Sequence, residues 1–153
     1  LAAIGFALLV TAAMTLHGEA NWYRGLLWGV GGFASFSLAP AVGLPPELPG
    51  MAAADLVSRQ AWWIGTAIAT AAGLTFLFLI RRPAWATAGA ILIAAPHLIG
   101  APHGTGAGAG VPPELIIEFG IASLISNLLL WAALGIASGI LLEKLRPDDE
   151  VLP

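Results

Sequence analysis

Four side chains able to bind a cation fall close together in the second half of the chain. His97 and His103 each end an Ala-Pro-His tripeptide within "APHLIGAPHG" (Ala95–Gly104), and Glu114 and Glu118 follow shortly after. Two imidazoles and two carboxylates form a borderline-hard nitrogen and oxygen set, suited to Co²⁺, Ni²⁺, Zn²⁺ or Mn²⁺. Glu114 and Glu118 stand four apart and would share one helix face. Their like charges repel by a few tenths of a kcal/mol unless a cation or proton intervenes. The glycine-rich "GTGAGAG" between the histidines and the glutamates could let the chain fold over an ion. Glu47, in an earlier Pro-Pro-Glu-Leu, is the fifth candidate ligand. A plainer reading stands beside this one. The spacing matches no specific metal motif such as HExxH. A glutamate after Pro-Pro is also what a helix start favours, because proline loses no intrahelical bond there and the dipole attracts the carboxylate.

Other chemistries are excluded by what is missing. With no cysteine, disulfides, iron–sulfur clusters and thiolate metal sites are absent, and two methionines make a poor Cu(I) site. No GxxxxGK[ST] and no nucleophile–base arrangement is found, so neither P-loop hydrolysis nor covalent catalysis is expected. The chain is read as a non-enzyme.

The elements that must hold these residues are set by hydropathy. Hydrophobic residues make up 58% of the 153 and charged residues 10%, against roughly 25% charged in a soluble domain. Mean hydropathy is +0.87. The expected fold is an all-α integral membrane protein of about five transmembrane helices. Apolar runs span about Leu1–Leu16, Gly25–Val42, Gln60–Ile80, Ala84–Leu98 and Glu114–Leu142. The fourth is short and is expected to tilt or to end irregularly at Pro96. The first begins in mid-run without Met, which reads as a truncation inside a span. Residues 1–142 then form the transmembrane domain and 143–153 a short tail. Arg24, Arg81, Arg82, Lys144 and Arg146 fall on one side and Arg59 on the other, so the positive-inside rule places the C-terminus in the cytoplasm.

An internal echo adds detail. "LAPAVGLPPEL" (Leu38–Leu48) and "GAPHGTGAGAGVPPEL" (Gly100–Leu115) share an Ala-Pro and a Pro-Pro-Glu-Leu, which predicts two parallel helical-hairpin repeats. Asp55 and Arg59, four apart, are expected to form an ion pair at the mouth of the third span. Trp62 and Trp63, like Trp22, Tyr23 and Trp28, are read as interfacial anchors. Gly25 with Gly29, Gly65 with Ala69 and Gly73, and Gly135 with Gly139 predict close helix contacts. Gln60 and Asn127 predict interhelical hydrogen bonds.

"LAPAVGLPPELPG", "DLVSRQAWWIGTAIATAAGL", "APHLIGAPHG" and "VPPELI" together resemble the CbtA family, a proposed cobalt transporter subunit of bacteria. The resemblance covers roughly Gly18–Leu142. It implies a small multi-pass inner-membrane protein that moves Co²⁺, with no firmly bound cofactor. It also implies a partner, a CbtB-like single-span subunit rich in histidine, within the lipid bilayer. The family's PPEL turns correspond to Glu47 and Glu114 and its paired Ala-Pro-His to His97 and His103. Asp55 and Arg59 fall in its "DL..RQ.WW" segment. The family also leads us to expect a further complete apolar segment at the N-terminus. The competing reading is a non-catalytic accessory or scaffold subunit of a larger membrane complex. The metal reading predicts that His97→Ala/His103→Ala loses Co²⁺ binding measured on the purified protein; unchanged binding would return both histidines to structural roles.

Overall fold

The computed structural model describes residues 1–18, 20–80, 82–104 and 110–145. Glu19, Arg81, the glycine-rich Thr105–Ala109 and the tail from Arg146 onward lie outside the described residues. So do the expected loop over an ion, Arg81 and Arg146, both expected on the cytoplasmic side, and most of the tail assigned to 143–153.

Among the described residues every element is helical and no strand occurs. A bilayer offers no water to unpaired peptide groups, so a segment must bond its own backbone. The helices are α1 (Ala2–His17), α2 (Trp22–Phe33), α3 (Ala39–Gly43), α4 (Leu56–Phe78), α5 (Pro83–Ile99) and α6 (Pro113–Leu145). A π-helical turn, Ala34–Leu38, joins α2 to α3, so Trp22–Gly43 runs as one 22-residue apolar helix. That helix, α4 and the 33-residue α6 are long and apolar enough to cross a membrane. At about 1.5 Å per residue, 22 residues reach about 33 Å, against a hydrocarbon core of about 30 Å. The apolar helices α1 and α5 are shorter, at 16 and 17 residues.

Helix boundaries follow local chemistry. α1 stops at Gly18, whose φ of 81° lets its N–H fold back on the carbonyls of Met14 and Thr15. His17 occupies the last turn, its ring 5.8 Å from that of Trp28, in keeping with a helix-end role. Pro40 offers no N–H and its ring crowds the preceding turn. The Ala39 N–H instead bonds the carbonyl of Ala34, five residues back, and the helix widens into the π turn just before the proline. The short fourth span is expected to tilt or to end irregularly at Pro96, and the second of these is corrected. The helix in fact continues to Ile99, and the Gly100 N–H closes on the carbonyl of Pro96 at 3.0 Å. A single lost bond near a helix end leaves too little disruption to stop it.

The chain forms two compact units. The first comprises residues 1–32 and 128–153, the second 33–127. In the first, α2 and the C-terminal half of α6 run antiparallel with their backbones in direct contact. A Cβ on Gly25 would strike the carbonyl of Gly135, and one on Gly135 would strike that of Gly25. Gly29 meets the carbonyl of Trp131, and Gly139 that of Asn21. The four-residue glycine spacing on each helix therefore does what it predicts. Trp131 is fully buried against Gly32 and lies 4.6 Å from the Phe6 ring. The Thr11 hydroxyl donates to Ser138 Oγ at 3.1 Å, tying α1 to α6.

In the second unit α4 and α5 form an antiparallel hairpin. Its close crossing is Gly73 on Gly89: a Cβ on Gly73 would sit 2.7 Å from the carbonyl of Gly89 and 2.6 Å from Ile93. Trp85 packs edge-on to Phe76 at 4.8 Å near the turn of the hairpin. The two Pro-Pro-Glu-Leu copies do not adopt the same local structure, as described below, and the tight hairpin pairs α4 with α5.

The glycine contact in the first unit gives a quantitative expectation. Gly135→Val forces a branched side chain onto rigid backbone and should cost about 1–3 kcal/mol or more, measured by denaturation of the purified protein in detergent. Gly5→Ala, with nothing within 4 Å, should be neutral or stabilising by up to about 1 kcal/mol.

Candidate functional site

The site begins with two copies of one tetrapeptide that fold differently. In the second copy Pro113 opens α6 and Glu114 lies in its first turn. The Pro112 carbonyl accepts from Leu115 and Ile116 at 3.1 and 3.3 Å. In the first copy Pro45–Leu48 is not helical, and α4 starts only at Leu56. Pro49 explains the difference. It has no N–H to donate, it pushes Leu48 away from helical angles, and Gly50 then turns the chain at φ 93°. The expectation that Glu47 starts a helix is therefore corrected.

Released from a helix, Glu47 reaches Arg59 on the first turn of α4. Its Oε2 lies 2.9 Å from the guanidinium, with the two side chains 21% and 31% exposed. The ion pair expected between Asp55 and Arg59 is likewise corrected. Asp55 is the N-cap of α4: Oδ2 accepts from the Ser58 N–H at 3.0 Å and from the Ser58 hydroxyl at 3.1 Å. These bonds hold the Asp55 carboxyl below the ordinary carboxylate range. The cap is thus fully formed above that range and is lost as pH falls through the lowered value. A carboxylate turned back to cap its own helix leaves the arginine to the neighbouring segment.

Glu47 and Arg59 line an open groove of about 690 Å³, together with Ser37, Gln60, Trp63 and Asn127. Ser37 comes from the π turn, and Phe36 beside it packs on Trp63 with ring centres 6.0 Å apart. Asn127 was expected to bond another helix. Its Nδ2 instead donates to the carbonyl of Ser123, one turn back, at 2.9 Å. Gln60 is exposed at the groove. The groove thus gathers a carboxylate, its internal counter-cation and two amides. These are oxygen donors that can replace waters of a hydrated cation at its edge, while the guanidinium competes for the carboxylate.

The histidines lie elsewhere in the same unit. His97 is in the last turn of α5, half-buried, with its ring edge-on to Trp62 at 6.0 Å. The Trp62 indole fills the space over Gly43, where a Cβ would collide with it. His103 is exposed in the segment after α5. Next to it, Gly104 lies so close to the Ala52 backbone that a Cβ would come within 2.5 Å of that carbonyl. Glu114 and Glu118 are exposed on the first two turns of α6. Among the described residues no three of His, Asp and Glu come within reach of a common ion. Glu47 is brought to Arg59 and His97 to Trp62.

The groove and the Glu47–Arg59 pair were not foreseen in the sequence. The signals present for them were Pro49 directly after PPEL and Ser58 three residues after Asp55, the spacing of an N-cap.

A family profile described as "Probable cobalt transporter subunit (CbtA)" matches residues 1–143. No curated protein and no solved structure matches the chain.

The two alternative partners of Arg59 are separable by double-mutant cycles. Exposed ion pairs contribute about 0–1 kcal/mol, and breaking a buried one costs about 3–5. For this half-buried pair, Glu47→Gln combined with Arg59→Gln should show a coupling of about 1–2 kcal/mol in thermal or chemical unfolding. The Asp55→Asn/Arg59→Gln cycle should show coupling near zero.

Proposed function

Because the chain belongs to the CbtA family, we propose that it is the membrane-embedded subunit of a divalent-metal uptake system with Co²⁺ as the transported ion. The observation that carries this reading is the family match, which runs from α1 to within two residues of the end of α6. The groove supports it. A hydrated divalent ion has to exchange waters for fixed oxygen and nitrogen donors, and the amides of Gln60 and Asn127 stand beside the Glu47 carboxylate. Glu47, His97, His103, Glu114 and Glu118 then act as successive contacts on the external face, engaged one or two at a time. Loose contacts of this kind suit conduction, since an ion held by a complete cage would not leave.

The family description names a subunit, and so other components. A single-span, histidine-rich CbtB-like protein is the partner this reading assigns, collecting metal and passing it to the groove. The protein resides in the bacterial inner membrane with its C-terminus in the cytoplasm, in keeping with the positive-inside reading of its Lys and Arg residues. It has no catalytic role in this reading, and the driving force comes from an ion gradient or another subunit.

Accumulation of radioactive Co²⁺ tests the proposal in cells with and without the chain and its partner. Uptake should rise when both are expressed and fall with Glu47→Gln. Equal accumulation in all strains would overturn the transport reading and leave that of an accessory subunit.

A further inference from the structure

Among the described residues, the charged side chains lining the groove are Glu47 and Arg59. While they are paired the groove carries no net charge and holds little attraction for a cation. The amides of Gln60 and Asn127 are neutral and leave that sum unchanged. Nor do the described residues contain a cluster of three His, Asp or Glu side chains that could outweigh the guanidinium. A cation gains a negative partner here when Arg59 leaves Glu47.

The pair is loosely made. Arg59 Nη2 lies 2.9 Å from Glu47 Oε2, but the buried Nε has no hydrogen-bond partner. The two-bond fork that Nε and Nη2 can present to one carboxylate is therefore not formed, and two-bonded pairs are the strong form of this contact. Nε is one of four such atoms along α4, with Trp62 Nε1, Thr66 Oγ1 and Thr70 Oγ1. The Arg59 side chain is 31% exposed, so a displaced head has water to turn into.

The partners also belong to different walls. Arg59 stands on the first turn of α4, and Glu47 on the stretch 44–54, which lines the groove through Leu44, Pro45 and Pro46. The Leu44 N–H bonds the carbonyl of Pro40 at 2.8 Å, and Gly104 packs against the backbone at Ala52. Between these two fixed points the ion pair joins the stretch to α4. We propose that Arg59 is a tethered counter-cation of Glu47, which an arriving divalent ion displaces, and that the exchange unties the Pro45–Glu47 wall from α4. The inference rests on the reading of Glu47 as a metal contact and adds what regulates that contact. At equal distance a divalent ion gains twice the Coulomb energy of a monovalent one, so the arginine sets a threshold that Na⁺ and K⁺ do not pass. The coupling expected for the pair corresponds to about five- to thirtyfold in affinity. The anchors at Leu44 and Ala52 keep the movement short.

The experiment is phenylglyoxal labelling of arginine, read by mass spectrometry on the full chain in lipid nanodiscs, with CoCl₂ as the added ion. Modification of Arg59 should rise severalfold with Co²⁺ and saturate, while Arg24 is unchanged. NaCl at matched ionic strength should give no such rise. In Glu47→Gln, Arg59 should react fast with and without Co²⁺. No rise with Co²⁺, or an equal rise with NaCl, would overturn the proposal, and this comparison needs no variant to fold. Equilibrium dialysis with radioactive Co²⁺ separates the two readings. Arg59→Gln should bind about five- to thirtyfold more tightly, Arg59→Lys should tighten binding by less, and Glu47→Gln should weaken it. Weaker binding in Glu47→Gln without tighter binding in Arg59→Gln overturns the counter-cation alone. Unchanged binding in Glu47→Gln overturns Glu47 as a metal contact and the counter-cation with it.

Discussion

Inside a bilayer, each polar group needs a partner supplied by the protein or by water the protein admits, and this constraint orders the whole molecule. It makes every described element a helix. It accounts for the manner in which the irregular residues are absorbed: Pro40 by a π turn, Pro96 by a helix end closed through Gly100, and three threonines by their own helices. It also makes exceptions informative. The four unpartnered atoms on α4 and the half-buried Glu47–Arg59 pair belong to the second unit, which also holds the groove.

The two units meet the same constraint with different material. The first is assembled by backbone proximity: glycines on α2 and α6 remove side chains from the contact, and van der Waals packing does the rest. A side-chain hydrogen bond from Thr11 to Ser138 adds an interhelical tie. The second has a glycine crossing, Gly73 on Gly89, and carries polar and aromatic side chains among the apolar ones of α4, including Arg59, Trp62, Thr66 and Thr70. Small residues make a close contact, and polar ones offer hydrogen bonds. A transport subunit needs both, a frame that stays assembled and a region where an ion can trade its waters.

The Pro-Pro-Glu-Leu twins show how little a repeated motif decides alone. Followed by Ile-Ile, the motif opens a 33-residue helix. Followed by Pro-Gly, it becomes a turn whose glutamate is free to meet Arg59. The difference is one proline, acting through a missing N–H and a steric restriction on its predecessor. Asp55 follows the same logic. At a spacing that suggests an ion pair with Arg59, it is captured by Ser58, because capping the orphan N–H groups of α4 is closer at hand than reaching an arginine one turn along.

What the residues determined by themselves was local or compositional. Hydropathy set the membrane class and the apolar helices; glycine spacing set the close faces of α2 and α6; the PPELII copy set the start of α6; and the motifs from Leu38 to Leu115 identified the family. Each depends on neighbours within about a turn or on averages over a span, where short-range sterics and solvation dominate. Tertiary structure alone decided the partner of Arg59, the seat of Trp62 over Gly43 and against His97, the groove, and the unpartnered polar atoms of α4. These depend on where the path from Gly43 to Asp55 lays Glu47, and on how α5 crosses α4. Such pairings are selected by packing between segments distant in the chain, for which spacing along one helix carries no information.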